Sequence, residues 1–183
     1  MNTETVSQLP LKRNTFSVYK TADLENFEEP KIIFDGAKCG FWADRDFWAS
    51  ELHKYNGKYY LFGSCKADNK HRATHIFVCD TPDGEFVPLT EQPITPSDWE
   101  CLDGTFWIED GKTKMLWSSF YQGRYLVLDA WSDSLGGKWN HGGSRFDFDG
   151  GHAMLIEKLD GTKMISLHSP NKANMERAVF YKW

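Results

Sequence analysis

The chain has 183 residues, of which 40% are hydrophobic and 15% aromatic, and a formal net charge of −5. That length fits one domain, and that apolar content fills its core, which excludes a disordered chain. The acidic balance excludes a nucleic-acid partner, which needs a basic stripe to displace counterions from phosphates, and no window approaches the length of a membrane span.

In chain order, residues 1–13 read as a polar arm ahead of a single domain over 14–183. LKR at 11–13 is the densest basic run and reads as solvated surface. The arm carries no apolar stretch long enough for a signal peptide, so a cytoplasmic location is expected. Cys39, Cys65, Cys79 and Cys101 are too widely spaced for a zinc pair and are expected as free thiols, with Cys65 and Cys79 acting as small buried hydrophobes.

Three turn dipeptides, Asn56-Gly57, Asp110-Gly111 and Asp160-Gly161, each open a strand of apolar and aromatic residues and recur about fifty residues apart, the spacing of β-propeller blades. Asn-Gly and Asp-Gly supply the positive φ of a two-residue hairpin. The first blade is expected near 47–95, with strands at 50–55, 58–64, 74–79 and 86–89. Tyr59 and Leu61 against Tyr60 and Phe62 make both faces of its second strand apolar, so both are expected to be buried. The second blade is expected over 100–140. THIFVCDTPDGEF and YLVLDAWSDSLGGKW follow the first two turns as further strands with closing aromatics, Phe86 and Trp139. The third turn lacks such a follower, and FSVYKTADLENF at 16–27 carries one at the other end of the chain. The expectation is therefore an all-β propeller of three four-stranded blades, in which N-terminal strands at 16–20 and 27–34 complete the C-terminal blade of 152–168 and 177–182.

The innermost strand of a propeller blade starts at the axial channel. The three starts read WASELHKY, ECLDGTFWI and DGGHAMLIE, and they offer Glu51, Asp103 and His152. Glu51 and Asp103 are the obvious pair of carboxyls to flank a glycosidic bond; hydrogen bonding inside the channel is the alternative. FWADRDFW at 41–48 frames Asp44, Arg45 and Asp46 with Trp42 and Trp48, a composition that suits stacking on a sugar ring and bonding its hydroxyls. The alternative is an Arg–Asp pair locking a loop beneath buried tryptophan. HRATH at 71–75 holds two imidazoles at a spacing that suits neither a strand face nor a helix turn, and reads as a hairpin tip.

GFWADRDFWASELHKYNGKYYLF, PITPSDWECLDGTFWIEDGK, KMLWSSF and DGGHAMLIEKLDGTKMISLHSPN, with ER-AVFY, make residues 14–182 resemble the family 43 glycoside hydrolases, particularly the arabinosidase-like and xylosidase-like members. The resemblance implies a catalytic propeller of five blades and inverting hydrolysis of arabinose- or xylose-containing substrates, by a base, a pKa-tuning aspartate and a general acid. Asp103 in LDGTFW matches the pKa-tuning aspartate. His152 in DGGHAM matches a histidine of the axial channel that often helps hold a calcium ion or a water cluster. The family's base, in an Asp-Pro segment, is expected upstream of where this chain begins, and the general acid in a stretch missing between IEDGK and KMLWSSF, which makes 107–115 a fused boundary. The resemblance implies no required cofactor, calcium in the axial channel with His152 among its ligands, and a small carbohydrate as partner. Three readings stay open: a hydrolase with Asp103 and Glu51 as its carboxylates, a catalytically silent sugar-binding propeller built on 41–48, and a truncated propeller that forms a homo-oligomer through exposed blade faces.

Overall fold

The computed structural model describes residues 14–121 and 123–183, so the arm at 1–13 lies outside the described residues. The chain runs β1 (Thr15–Val18), β2 (Lys31–Asp35), α1 (Gly36–Cys39), β3 (Arg45–Tyr55), β4 (Lys58–Lys66), β5 (Ala73–Cys79), β6 (Val87–Pro88), β7 (Cys101–Glu109), β8 (Lys112–Tyr121), β9 (Arg124–Ser132), β10 (Asn140–Ser144), β11 (Gly151–Glu157), β12 (Lys163–Ser169) and β13 (Arg177–Lys182). All pairing is antiparallel, in four sheets: β1-β2, β3-β4-β5-β6, β7-β8-β9-β10 and β11-β12-β13. The all-β expectation holds. β7 lies against both β3 and β11, so the inner strands of the three larger sheets are neighbours.

Two of the three hairpins form as their dipeptides require. Asn56 and Gly57 sit at φ 47° and 78°, Asp110 and Gly111 at 51° and 73°, which places both central residues of each turn in the left-handed region. The second of these turns joins β7 to β8 without irregularity, Ile108 facing Thr113 and Glu109 facing Lys112. A fused boundary at 107–115 is thus one regular hairpin. The third turn is longer than two residues: Lys158 N–H donates to the Thr162 carbonyl at 2.9 Å, and Asp160 Oδ1 accepts from Thr162 N–H at 2.9 Å. Leu159, fully exposed, is carried outside the hairpin by this loop.

Packing follows the alternation along the strands. On β4, Leu61 faces the β1-β2 hairpin and Phe62 faces the β7 sheet, and both are buried, so that sheet is covered on its two faces as expected. On β8, Met115 and Trp117 face back toward the β3 sheet and Leu116 faces forward to Ala153, Ile165 and Leu167 of the last sheet. Cys65 and Cys101 are buried free thiols and burial raises both pKa values, that of Cys101 to about 12; Cys79 is half-buried and Cys39 exposed.

The N-terminal strands do not complete the C-terminal sheet. β1 and β2 pair with each other and stack on the β3 sheet, where Phe34 meets Phe77 at 4.5 Å and Phe16 meets Phe77 at 5.5 Å between ring centres. Gly63 on β4 makes room for this packing. Its missing side chain leaves the slot that Phe16 fills, since a Cβ there would come within 2.3 Å of the Phe16 ring. The supposed third closing aromatic, Phe27, is 57% exposed, whereas Phe86 and Trp139 are 1% and 7% exposed, so the sequence likeness at 16–27 does not extend to packing.

Candidate functional site

Each inner strand is interrupted by a bulge at the same register. Pairing jumps from Trp48↔Ser64 to Glu51↔Phe62, from Leu102↔Ser118 to Thr105↔Leu116, and from Gly151↔His168 to Met154↔Ser166. The first unpaired residue of each jump is left-handed: Ala49 at φ 47°, Asp103 at 57° and His152 at 50°. Such φ values are uncommon outside glycine and persist where the surroundings over-determine them. For Asp103 and His152 a serine does so. Asp103 N–H donates to Ser64 Oγ at 2.9 Å, and His152 N–H donates to Ser118 Oγ at 2.9 Å. Ser64 and Ser118 are each on the second strand of the preceding sheet, so every seam between large sheets is pinned by one hydroxyl at the point where the next inner strand bulges.

These seams bring Asp103 and His152 together, with Asp103 Oδ2 3.9 Å from His152 Nδ1. Asp103 is 9% exposed. Burial pushes its pKa above the usual aspartate range, while His152, His168 and Arg72 pull it back. Glu51 belongs to a different position. It is aligned with Thr105 and Met154 rather than with Asp103, and its Oε2 lies 3.4 Å from His53 Nε2. Ala49 holds the third equivalent place. The sequence contained the signal, because Ala49 precedes Asn56-Gly57 by as many residues as Asp103 precedes Asp110-Gly111.

The FWADRDFW segment divides. Asp46 and Trp48 turn to Arg72, which lies just before β5: Arg72 Nη2 donates to Asp46 Oδ2 at 2.8 Å, and its guanidinium carbon sits 4.0 Å from the Trp48 ring centre. Arg72 also bonds Glu100 through Nη1 and through its backbone N–H, both at 3.3 Å, and its carbonyl accepts from Cys101 N–H at 2.8 Å. Glu100 is further held by Lys66 at 2.6 Å and His71 at 3.3 Å. Burial works against the Glu100 carboxylate, but these partners outweigh it and keep its pKa below the usual range. Arg45 pairs instead with Asp68 and, at 3.7 Å, with Asp44, away from Arg72. Trp42 points elsewhere, its Nε1 donating to His75 Nδ1 at 3.4 Å. Arg72 and His168 are the functional candidates that sequence reasoning misses; of the two imidazoles in HRATH, His71 touches the cluster through Glu100 and His75 is spent on Trp42 and Thr90, while the Arg between them sits at its centre.

Asp149, beside His152 in sequence, is consumed by the backbone, accepting from Tyr125 N–H at 2.8 Å and Asn171 N–H at 2.9 Å. Among the described residues no three His, Cys, Asp or Glu side chains converge as a metal site, and His152 has Asp103 as its carboxylate neighbour. The arrangement offers a half-exposed indole backed by a cation, a carboxyl that burial drives toward its neutral form, and an exposed imidazole beside it. Stacking on a sugar ring and bonding of its hydroxyls are what such groups do.

The family model described as Glycosyl hydrolases family 43 matches residues 4–140. A xylosidase/arabinosidase of Bacteroides ovatus is 31% identical over 75 residues, and the chain spans 23% of that relative's length. An endo-arabinase structure from Bacteroides thetaiotaomicron is 28% identical, with a TM-score of 0.52 over 92% of this chain and 86% of that one. A GH43 beta-xylosidase/alpha-arabinofuranosidase from a compost microbial metagenome, solved with xylotriose, shares the fold at a TM-score of 0.57 and 15% identity, over 66% of this chain and 42% of that one.

Proposed function

Because the chain belongs to glycosyl hydrolases family 43, we propose that the bulge end of its inner strands binds arabinose- or xylose-containing oligosaccharides and does not hydrolyse them efficiently. The observation that carries this reading is the state of the carboxylates. Inverting hydrolysis needs one carboxyl to protonate the leaving oxygen and a second, unencumbered one to activate water across the ring. Asp46 is tied to Arg72, and Glu100 to Arg72 and Lys66. Among the described residues, Asp103 is the carboxyl of these three with no Lys or Arg in ion-pair contact, and a single carboxyl supplies half of the chemistry. Each general acid or base contributes about 10²–10⁴-fold, so loss of one already removes most turnover. The binding elements persist: Trp48 is 49% exposed over Arg72, and His152 presents its ring beside Asp103. The endo-arabinase and the xylosidase/arabinosidase relatives support pentose-containing ligands.

Calorimetric titration with arabinotriose and xylotriose, beside nitrophenol release from a nitrophenyl arabinofuranoside, tests this. Saturable binding that Trp48→Ala weakens, with release no faster than in buffer, is expected. Release that disappears in Asp103→Asn would restore the hydrolase reading, and absence of binding would overturn the proposal.

A second reading, association of copies, rests on one row of side chains. Met154, Ser166 and Phe180 are register partners across β11, β12 and β13, and Met154 and Phe180 are 43% and 58% exposed on the face opposite Ile165 and Leu167. Light scattering on a sizing column tests it, with Phe180→Ser expected to shift the mass of a dimer to that of a monomer; a wild-type monomer removes this reading.

A further inference from the structure

The segment from Pro88 to Ser97, between β6 and β7, floors three adjoining depressions. One of about 530 Å³ is walled by Phe41 and Trp42, one of about 250 Å³ by Trp42, Asn69 and Lys70, and one of about 350 Å³ by Trp139 and His141. They share walls. Trp42 divides the first from the second, and Gln92 with Pro93 divides the second from the third. The result is one groove with an indole standing across it.

The groove is held in shape by bonds that do not involve a ligand. Trp42 Nε1 donates to His75 Nδ1, and His75 Nε2 lies 2.9 Å from the Thr90 carbonyl, which fixes the indole to the floor. Leu89 N–H donates to the Ile76 carbonyl at 2.9 Å and Ile94 N–H to the Thr74 carbonyl at 3.0 Å, fixing the floor to β5. Four polar side chains along it are unspent: among the described residues, those of Asn69, Lys70, Gln92 and Ser97 take no hydrogen bond from the protein, while those of Thr90 and Thr95 bond the backbone. The Lys70 ammonium lies 5.5 Å from the Trp42 ring centre. A preformed cleft of aromatic and proline walls with a few amides and a hydroxyl is the composition of a small-ligand site. Its charges, Lys70, Glu91 and Lys138, are mixed in sign, which disfavours a polyanion. The smallest depression has room for roughly eight waters at about 30 Å³ each, enough for a sugar ring, and three adjoining depressions, the first and third sharing Thr90, suit a chain rather than a monosaccharide.

From this we infer that the groove is a second carbohydrate site, separate from the Asp103–His152 mouth, which takes a neutral oligosaccharide chain across Trp42. The inference rests on the carbohydrate reading above. The two sites adjoin through His71, which lines the depression beside Lys70 and contacts Glu100 at 3.3 Å.

Affinity electrophoresis through soluble arabinoxylan, with the double variant Lys70→Ala/Gln92→Ala and with Trp48→Ala, separates the two sites. Lys70 and Gln92 are exposed, so the double variant keeps its fold. Each change removes one of two sites, so retardation is expected to weaken in the double variant and in Trp48→Ala and to vanish when all three substitutions are combined, and xylohexaose is expected to shift the side-chain amide resonances of Asn69 and Gln92 in Trp48→Ala as in the wild type. Retardation that is undiminished in the double variant and lost in Trp48→Ala removes the groove while leaving the axial reading intact. A wild-type chain that is not retarded and shows no amide shift removes both.

Discussion

His75 is completely buried, and its two ring nitrogens meet opposite demands. Nε2 faces the Thr90 carbonyl and so carries the proton, while Nδ1 accepts from the Trp42 indole N–H. Only the neutral ring satisfies both; protonation of Nδ1 would turn it toward another donor. Burial lowers the pKa of His75 from 6.5 to about 4, with the Thr90 carbonyl acting weakly the other way. Between those two values the unfolded chain binds more protons than the folded one, so stability falls as pH drops through 6.5 and stops falling below about 4. A shift of about 2.5 units at 1.36 kcal/mol each makes the loss about 3 kcal/mol, a large part of a domain's total of 5–15 kcal/mol. Urea denaturation across pH 4 to 7 measures it. His75→Gln is the comparison, since its amide can donate to Thr90 and accept from Trp42 without titrating, and its slope over that range is expected to be shallower by that amount. Parallel slopes for the two proteins would refute the assignment of the neutral ring and of its burial cost.

Three further outcomes follow from the seams and the core. Ser64→Ala leaves the buried N–H of left-handed Asp103 without an acceptor, a loss of about 1–3 kcal/mol; at 2–4 °C per kcal/mol for a chain of this length, a melting point unchanged to within a degree counts against the seam. Asp103→Asn keeps a residue tolerant of positive φ and removes the charge that burial opposes. Because the folded pKa lies above the unfolded one, wild-type stability falls as pH rises through the usual aspartate range up to the folded value, and the variant is expected to be flatter there and more stable at neutral pH by calorimetry. Gly63→Ala pushes a Cβ into the Phe16 ring, an overpacking of about 1–3 kcal/mol; hydrogen exchange is expected to accelerate in β1 and β2 first, and a uniform change over all four sheets contradicts the slot.

Much of the sheet architecture was legible because each element obeyed a local rule. Asn56-Gly57 and Asp110-Gly111 fix two hairpins through φ alone, and Leu61 against Phe62 announces a strand buried on both faces. What failed was placement, which depends on contacts between distant segments. The likeness of 16–27 to 74–86 was real as a pattern, yet β1 docks where Gly63 leaves room, which no periodicity records. Glu51 was preferred to Ala49 for the third axial place because a search for titratable groups skips an alanine. The bulge register, countable back from the first two turns, pointed to Ala49. Arg72 was hidden for a related reason: its importance lies in reaching Asp46, Trp48 and Glu100, which come from two other segments of the chain.

That register gives a direct test of the repeat. If Ala49, Asp103 and His152 are equivalent positions, the step from one inner strand to the next that sets Asp103 Oδ2 3.9 Å from His152 Nδ1 also sets a side chain at 49 close to Asp103. Ala49→Asp adds a like charge at that step while suiting the left-handed backbone, which aspartate tolerates better than alanine. Two carboxylates about 4 Å apart repel by up to about 4 kcal/mol at a surface-like dielectric, and solvent at the mouth reduces this to about 1–3 kcal/mol. The repulsion is present when both are ionised and vanishes when either is protonated, so the variant is expected to lose stability as pH rises above the usual aspartate range and to match or exceed the wild type below it. Denaturation at pH 4 and pH 7 decides. A variant that follows the wild-type profile places position 49 away from Asp103 and breaks the equivalence on which the seam argument stands.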